Sequence, residues 1–194
     1  MSNIERKSEF QSDASEVMLF LYDWAETISQ SLIIVIFVLT FVFRLFTVKG
    51  NSMLDTLHSG DKVLVWKYNY TPTKGDVVTV KKFGKLDESI VKRVIATEGD
   101  TLSIDFDSGS VYVNGKKLNE TYIREPMERR GNELETPSVV PAGTCFLMGD
   151  NRNHSDDSRS PYIGGPVKNS DIIGPVKFIY FPFHHIGPVK RQVG

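Results

Sequence analysis

The chain has 194 residues, and its scarcities close several functional classes. A single cysteine, Cys145, excludes an internal disulfide and any multi-cysteine metal site. Within Thr144-Cys145-Phe146-Leu147-Met148 that thiol reads as a small core residue. Basic and acidic residues nearly cancel, 23 against 24, for a net charge of −1. Without a broad electropositive field, nucleic acid is not an expected partner. Histidine occurs four times, at His58, His154, His184 and His185, and no His-Glu-x-x-His segment is present. A zinc hydrolase would need three ligands, so neither a metal nor another cofactor is expected. Long amphipathic helical patterns are also missing beyond the N-terminal region, which turns the fold reading towards strands.

What is present begins with a hydrophobic run, Ser31 to Val48, interrupted by one charge, Arg44. Extended back to Ile28 it has 21 residues, about 31 Å as a helix, close to the ~30 Å of a hydrocarbon core. A cleaved leader would carry its apolar stretch nearer the start, before a small-residue exit. The expectation is therefore a single retained transmembrane helix over residues 28–48, with Arg44 near its end reaching for the interface. Before it, Val17, Phe20, Leu21, Trp24 and Ile28 recur at spacings of three and four, giving residues 1–27 an amphipathic stripe. Arg6 and Lys7 on one side and Arg44 and Lys49 on the other leave the orientation unspecified by charge.

After Val48 the pattern changes. Short apolar runs at 62–66, 76–80, 89–96, 101–104, 110–113 and 144–148 are separated by Gly, Asp, Pro and Asn, and read as strands. Asn114-Gly115 after Val111-Tyr112-Val113 marks a tight hairpin. Residues 49–194 are thus expected to form one all-β domain, a sandwich or barrel. Glu125 to Pro141, rich in charge, Pro and Gly, reads as a long surface excursion.

Two residues suggest chemistry. Ser52 lies just after the apolar run, in Gly50-Asn51-Ser52-Met53, and Lys92 stands among branched apolar neighbours in Ile90-Val91-Lys92-Arg93-Val94-Ile95. A serine hydroxyl must lose its proton as it attacks, and a lysine can take it only when neutral. Apolar surroundings favour the neutral amine, because the ammonium loses solvation there. Lys177, in Pro175-Val176-Lys177-Phe178-Ile179, has similar neighbours, so local apolarity does not choose between the two. His154, near Asp156 and Asp157, offers an alternative base of the Ser-His-Asp kind. A membrane-tethered β-domain that only binds exported polypeptides would also account for anchor and strands.

The order of motifs adds to this reading. The apolar run is followed by Gly50-Asn51-Ser52-Met53 with Thr56-Leu57, then Gly75-Asp76-Val77-Val78. Val91-Lys92-Arg93-Val94-Ile95 with Gly99-Asp100 comes next, then Gly149-Asp150-Asn151-Arg152 through Ser155-Asp156-Asp157-Ser158-Arg159. In this order they resemble the bacterial type I signal peptidases, from Ser31 to about Val176. The resemblance implies an endopeptidase that removes signal peptides from exported preproteins at a lipid bilayer, needing no cofactor. Its single span would lie in the bacterial cell membrane, with residues 1–27 cytoplasmic and residues 49–194 outside. Ser52 matches the nucleophile, Lys92 the general base, and Ser155 a hydroxyl that orients the amine. Gly50 falls where some members place an oxyanion-binding serine, leaving the Ser52 N–H as the expected donor. Asp150, Arg93, Asp157 and Arg159 match supporting charges; charged pairs on exposed loops are common and contribute little, while Arg93, next to Lys92 on an expected strand, would face away from it and fix the strand without charging the lysine's pocket. Val48, Met53, Leu57 and Val91 match positions lining shallow pockets for small substrate side chains, and as apolar residues suit a plain core equally. Asp55 replaces the family's usual proline.

Overall fold

The computed structural model describes residues 3–81, 88–128 and 131–192, with side chains described from Glu16 onward. The chain divides into two compact units, residues 1–42 and 43–194. In the first unit, helix α1 runs Asn3–Phe41. No glycine or proline occurs before Gly50, so nothing interrupts the helix. Its stretch Glu16–Phe41, 26 residues of mean hydropathy 1.7, is long and apolar enough to cross a membrane.

The hydrophobic run outlasts the helix. Residues Phe43–Thr47 form strand β1 of the second unit, paired with β2, Lys62–Trp66, from Phe43↔Trp66 to Thr47↔Lys62. Arg44 consequently lies opposite Val65 on a strand and not in the last turn of a helix. Hydropathy measures affinity for an apolar phase and does not separate an apolar helix from an apolar strand that follows it.

The second unit continues with β3 (Val77–Val80), β4 (Ile90–Thr97), β5 (Leu102–Asp105), β6 (Ser110–Val113), β7 (Lys116–Lys117), β8 (Thr144–Met148), β9 (Val167–Lys168), β10 (Ile172–Phe181) and β11 (Gly187–Pro188). An eight-stranded sheet runs in the order β1-β2-β10-β3-β4-β8-β9, with β11 on β10, and β5-β6-β7 make a second sheet. Every pairing is antiparallel. The domain is all-β, as the spacing of short apolar runs predicts. Asn114 and Gly115 both take positive φ, 52° and 72°, as a two-residue hairpin between β6 and β7 requires.

β10 ties the large sheet together. Its first half pairs with β3 and its second with β2. At Gly174, between the two, a Cβ would fall 1.7 Å from the Trp66 carbonyl oxygen, so only glycine lets the end of β2 pass. The segment from Glu125 to Pro141 is less superficial than its composition suggests. Met127 and Val140 are buried in the core beside the small sheet, and the Leu134 N–H donates to the Arg159 carbonyl at 2.8 Å.

Candidate active site

Ser52 sits in the turn between β1 and β2, which Met53 and Leu57 pin by burying their side chains and which the Leu57 N–H closes onto the Met53 carbonyl at 2.8 Å. Its side chain is only partly buried. Lys92 lies on β4, paired with Val78 of β3, and is 3% exposed. Its Nζ is 2.7 Å from Ser52 Oγ and donates to the Val91 carbonyl at 3.0 Å. Burial lowers the amine from 10.5 to about 8, against the opposing fields of Asp157, Asp156 and Asp150; Arg159 adds to the lowering. Lys177, whose local sequence looks similar, is exposed on β10. Position in the sheet separates the two lysines where sequence does not.

Because neighbouring strand residues face opposite ways, Arg93 turns from Lys92 towards Asp150. Its Nε and Nη2 donate to the two carboxylate oxygens at 2.8 and 2.6 Å, and Nη1 donates to the Gly75 carbonyl at 2.9 Å. The guanidinium lies 4.1 Å from the centre of the Tyr122 ring. The second pair is equally regular: Arg159 Nε and Nη2 each donate to Asp157 at 2.8 Å. Burial alone would raise the Asp157 carboxyl, yet Arg159, the Gly149 N–H and the Ser155 hydroxyl hold it below the usual carboxylate range. The expectation of exposed, weak pairs is therefore corrected. Arg93, Asp150, Asp157 and Arg159 are all at most 1% exposed. The loop after β8 folds inward, where fork-to-fork geometry compensates for lost hydration. Nor are these charges silent at the amine, since both carboxylates oppose its lowering.

Ser155 is buried beside this cluster, hydrogen-bonded to Asp157. Gly50 adopts φ of +79° with open space around the position of a Cβ, so no side chain reaches from it towards an oxyanion. The Ser52 N–H has no acceptor among the described residues, which leaves it available to a substrate oxygen. Val48, Met53, Leu57 and Val91 are buried together in one core cluster, with Val91 the most accessible at 6%. Asp55 is exposed, 4.0 Å from Arg124. His154 is exposed on the rim of a cleft of about 450 Å³ that Asn51, Leu54 and Asn151 also line.

Three contributors escaped the sequence reading. A Cβ on Gly149 would lie 2.2 Å from Ser155 Oγ and 2.5 Å from the Ser52 carbonyl oxygen, so glycine is what allows these segments to meet. Asn151 clamps the turn that carries Ser52 twice, its N–H to the Ser52 carbonyl at 3.0 Å and its side-chain amide to the Asn51 carbonyl at 3.1 Å. Thr56 donates to Asp150 at 2.5 Å, linking that turn to the Arg93 pair. Most of these partners are distant in sequence, and only the Thr56-Leu57 and Gly149-Asp150-Asn151-Arg152 motifs hinted at them.

A partly exposed hydroxyl bonded to a buried lysine, on an all-β domain, is the arrangement that a serine hydrolase with an amine base would need. The family model described as signal peptidase, peptidase S26, matches residues 21–181. A signal peptidase I of Bacillus licheniformis is 34% identical over 175 residues, covering 86% of this chain and 91% of its own. Signal peptidase I T of Bacillus subtilis is 32% identical over 196 residues, covering 96% and 98%. A crystal structure of a signal peptidase I from Enterococcus faecalis superposes on 55% of this chain and 97% of its own, with 26% identity and a TM-score of 0.44. The chain belongs to the signal peptidase family, peptidase S26, and is a serine endopeptidase of that family.

Proposed function

We propose that this protein removes N-terminal signal peptides from exported preproteins, with Ser52 as nucleophile and Lys92 as general base. The observation that carries the reading is the 2.7 Å contact between Ser52 Oγ and a Lys92 amine that burial lowers to about 8. Near pH 7 about a tenth of such an amine is neutral, enough for a base poised close to working pH. In the neutral form the hydroxyl donates to Nζ. As Oγ attacks the scissile carbonyl, Nζ takes its proton, and the carbonyl oxygen becomes an anion that the Ser52 N–H can stabilise. The lysine ammonium then returns the proton to the departing amine as the peptide C–N bond breaks. Water, deprotonated by the same amine, hydrolyses the acyl-enzyme.

The supporting residues divide the remaining work. Asp157, fixed by Arg159, holds the Ser155 hydroxyl, which in this reading orients the lysine amine, and Asp150 with Arg93 locks β4 to the loop after β8. Val48, Met53, Leu57 and Val91 underlie shallow pockets for small side chains one and three residues before the cut. The substrate lies extended beside a strand, bound through main-chain hydrogen bonds. α1 spans the bacterial cell membrane once and residues 43–194 work on its extracytoplasmic side, on secretory preproteins held in the same bilayer.

The test is cleavage of an exported precursor by the full chain and its Ser52→Ala, Lys92→Arg and His154→Ala variants. Arginine stays charged and cannot serve as a base. The first two variants are expected to lose activity and the third to keep it. An active Lys92→Arg enzyme refutes the amine mechanism, and a wild-type chain that binds precursors without cutting them is a binding module instead.

A further inference from the structure

Where the turn that follows the nucleophile segment meets the residues after β10, one donor atom each from His58, Asp61 and His185 lie within 4.8 Å of one another. They border a cleft of about 470 Å³ between residues 58–61 and 181–185. Asp61 is 2% exposed, and its Oδ2 accepts the His58 backbone N–H at 2.8 Å. His185 Nδ1 is 2.9 Å from that same oxygen, and His58 Nδ1 is 4.0 Å from it. The two imidazoles meet edge to face, with ring centres 4.8 Å apart. The catalytic pairing uses none of these side chains.

The charge balance of Asp61 differs from that of three other buried carboxylates in the domain. Asp150, Asp157 and Asp100 each meet a fixed cation, Arg93, Arg159 and Lys74 respectively. The ion-pair partners of Asp61 among the described residues are His58 and His185, which carry charge only when protonated. A buried carboxylate with two imidazoles facing it is neutralised most completely by a cation that all three can ligate.

We infer that His58, Asp61 and His185 form a binding site for a divalent transition cation of the zinc class. Two imidazoles and one carboxylate suit zinc and its neighbours, whereas magnesium and calcium prefer oxygen ligands throughout. Ligand bonds of about 2.0–2.2 Å place tetrahedral donors roughly 3.4 Å apart. Reaching that spacing needs the 2.9 Å contact of His185 with Asp61 to open by about half an ångström, and the 4.0 Å separation of His58 from Asp61 to close by about as much, which the His58 side chain, 52% exposed, can do by rotation. The backbone behind the site is already fixed. The Val48 N–H donates to the Asp61 carbonyl at 2.8 Å, the Gly60 N–H to the Val48 carbonyl at 2.9 Å, and the His185 N–H to the Pro182 carbonyl at 2.9 Å. With three protein ligands, zinc keeps a fourth position that water can take. A bound cation joins the turn leaving the nucleophile segment to the segment that follows β10.

Cobalt(II) titration of the full chain, stripped with a chelator in detergent, tests the site, because four-coordinate Co²⁺ absorbs visibly where the aqueous ion barely does. One Co²⁺ per chain is expected, displaced by Zn²⁺ and not by Mg²⁺. His58→Gln and His185→Gln are expected to weaken binding more than about 100-fold, while His154→Gln leaves it unchanged. Since His58 is exposed, its replacement does not threaten the fold and is decisive alone. Amide hydrogen exchange over residues 58–61 and 183–186 should slow on Zn²⁺ addition. No saturable spectrum, a complex equally tight in His58→Gln, or one lost with His154→Gln would overturn the proposal.

Discussion

Lys92 is asked to be buried and to titrate near neutrality, and these demands oppose stability. The folded value of about 8 lies below the 10.5 of the free side chain, so the unfolded chain holds the extra proton between those limits. The penalty is full below pH 8, shrinks as pH rises, and is gone above the unfolded value. A pKa difference of about 2.5 corresponds to about 3 kcal/mol. Lys92→Met should therefore be inactive yet more stable by about 3 kcal/mol at pH 7, with the gain vanishing near pH 11, as chemical denaturation at the two pH values would read. A variant no more stable than the parent at pH 7 contradicts this. Gly149 makes a steric demand. Gly149→Ala should lower kcat/KM by about 100-fold through displacement of the Ser52 carbonyl, and stability by about 1–3 kcal/mol through overpacking. Ser52 and Lys92 were legible as candidates because a hydroxyl and an apolar-flanked amine stand in recognisable motifs. The part played by Gly149 was not, because it depends on Ser155 and Ser52 crossing at one point in space.

At the level of elements, β4 and the loop after β8 act as one unit because Arg93 and Asp150 join them in full burial. Asp150→Ala would strand a guanidinium in the core, and a loss of about 3–5 kcal/mol is expected in thermal or chemical unfolding. A loss below about 1 kcal/mol would return the pair to the status of a surface ion pair. Six of the strands were readable as bounded apolar runs. β1 was not, because it continues the helix's hydrophobicity without a polar break; only Arg44 and Thr47 interrupt it. β10 is not among these runs either, since Gly174-Pro175 interrupts its apolar pattern, whereas it marks the change of partner from β3 to β2. The burial of the acid–base pairs was equally hidden, as sequence reveals charge and loop composition but not which loops fold inward.

For the molecule as a whole, the chain joins a β-domain to a helix long and apolar enough to cross a membrane, and the proposed function sets catalysis beside a bilayer. If enzyme and precursor share a bilayer, confinement replaces much of the affinity that shallow pockets lack. Cleavage of a precursor in the same vesicles should then exceed, by about 100-fold in kcat/KM, cleavage of a soluble peptide spanning the same site; equal values would remove the helix from the mechanism. All of this depends on the protonation of one amine. The direct measurement is kcat/KM against pH for the full chain, between about pH 6 and 10. The account predicts a rise with pH governed by a single ionisation near 8 in the free enzyme. A profile already flat at pH 6, or one still climbing through pH 10, would contradict it.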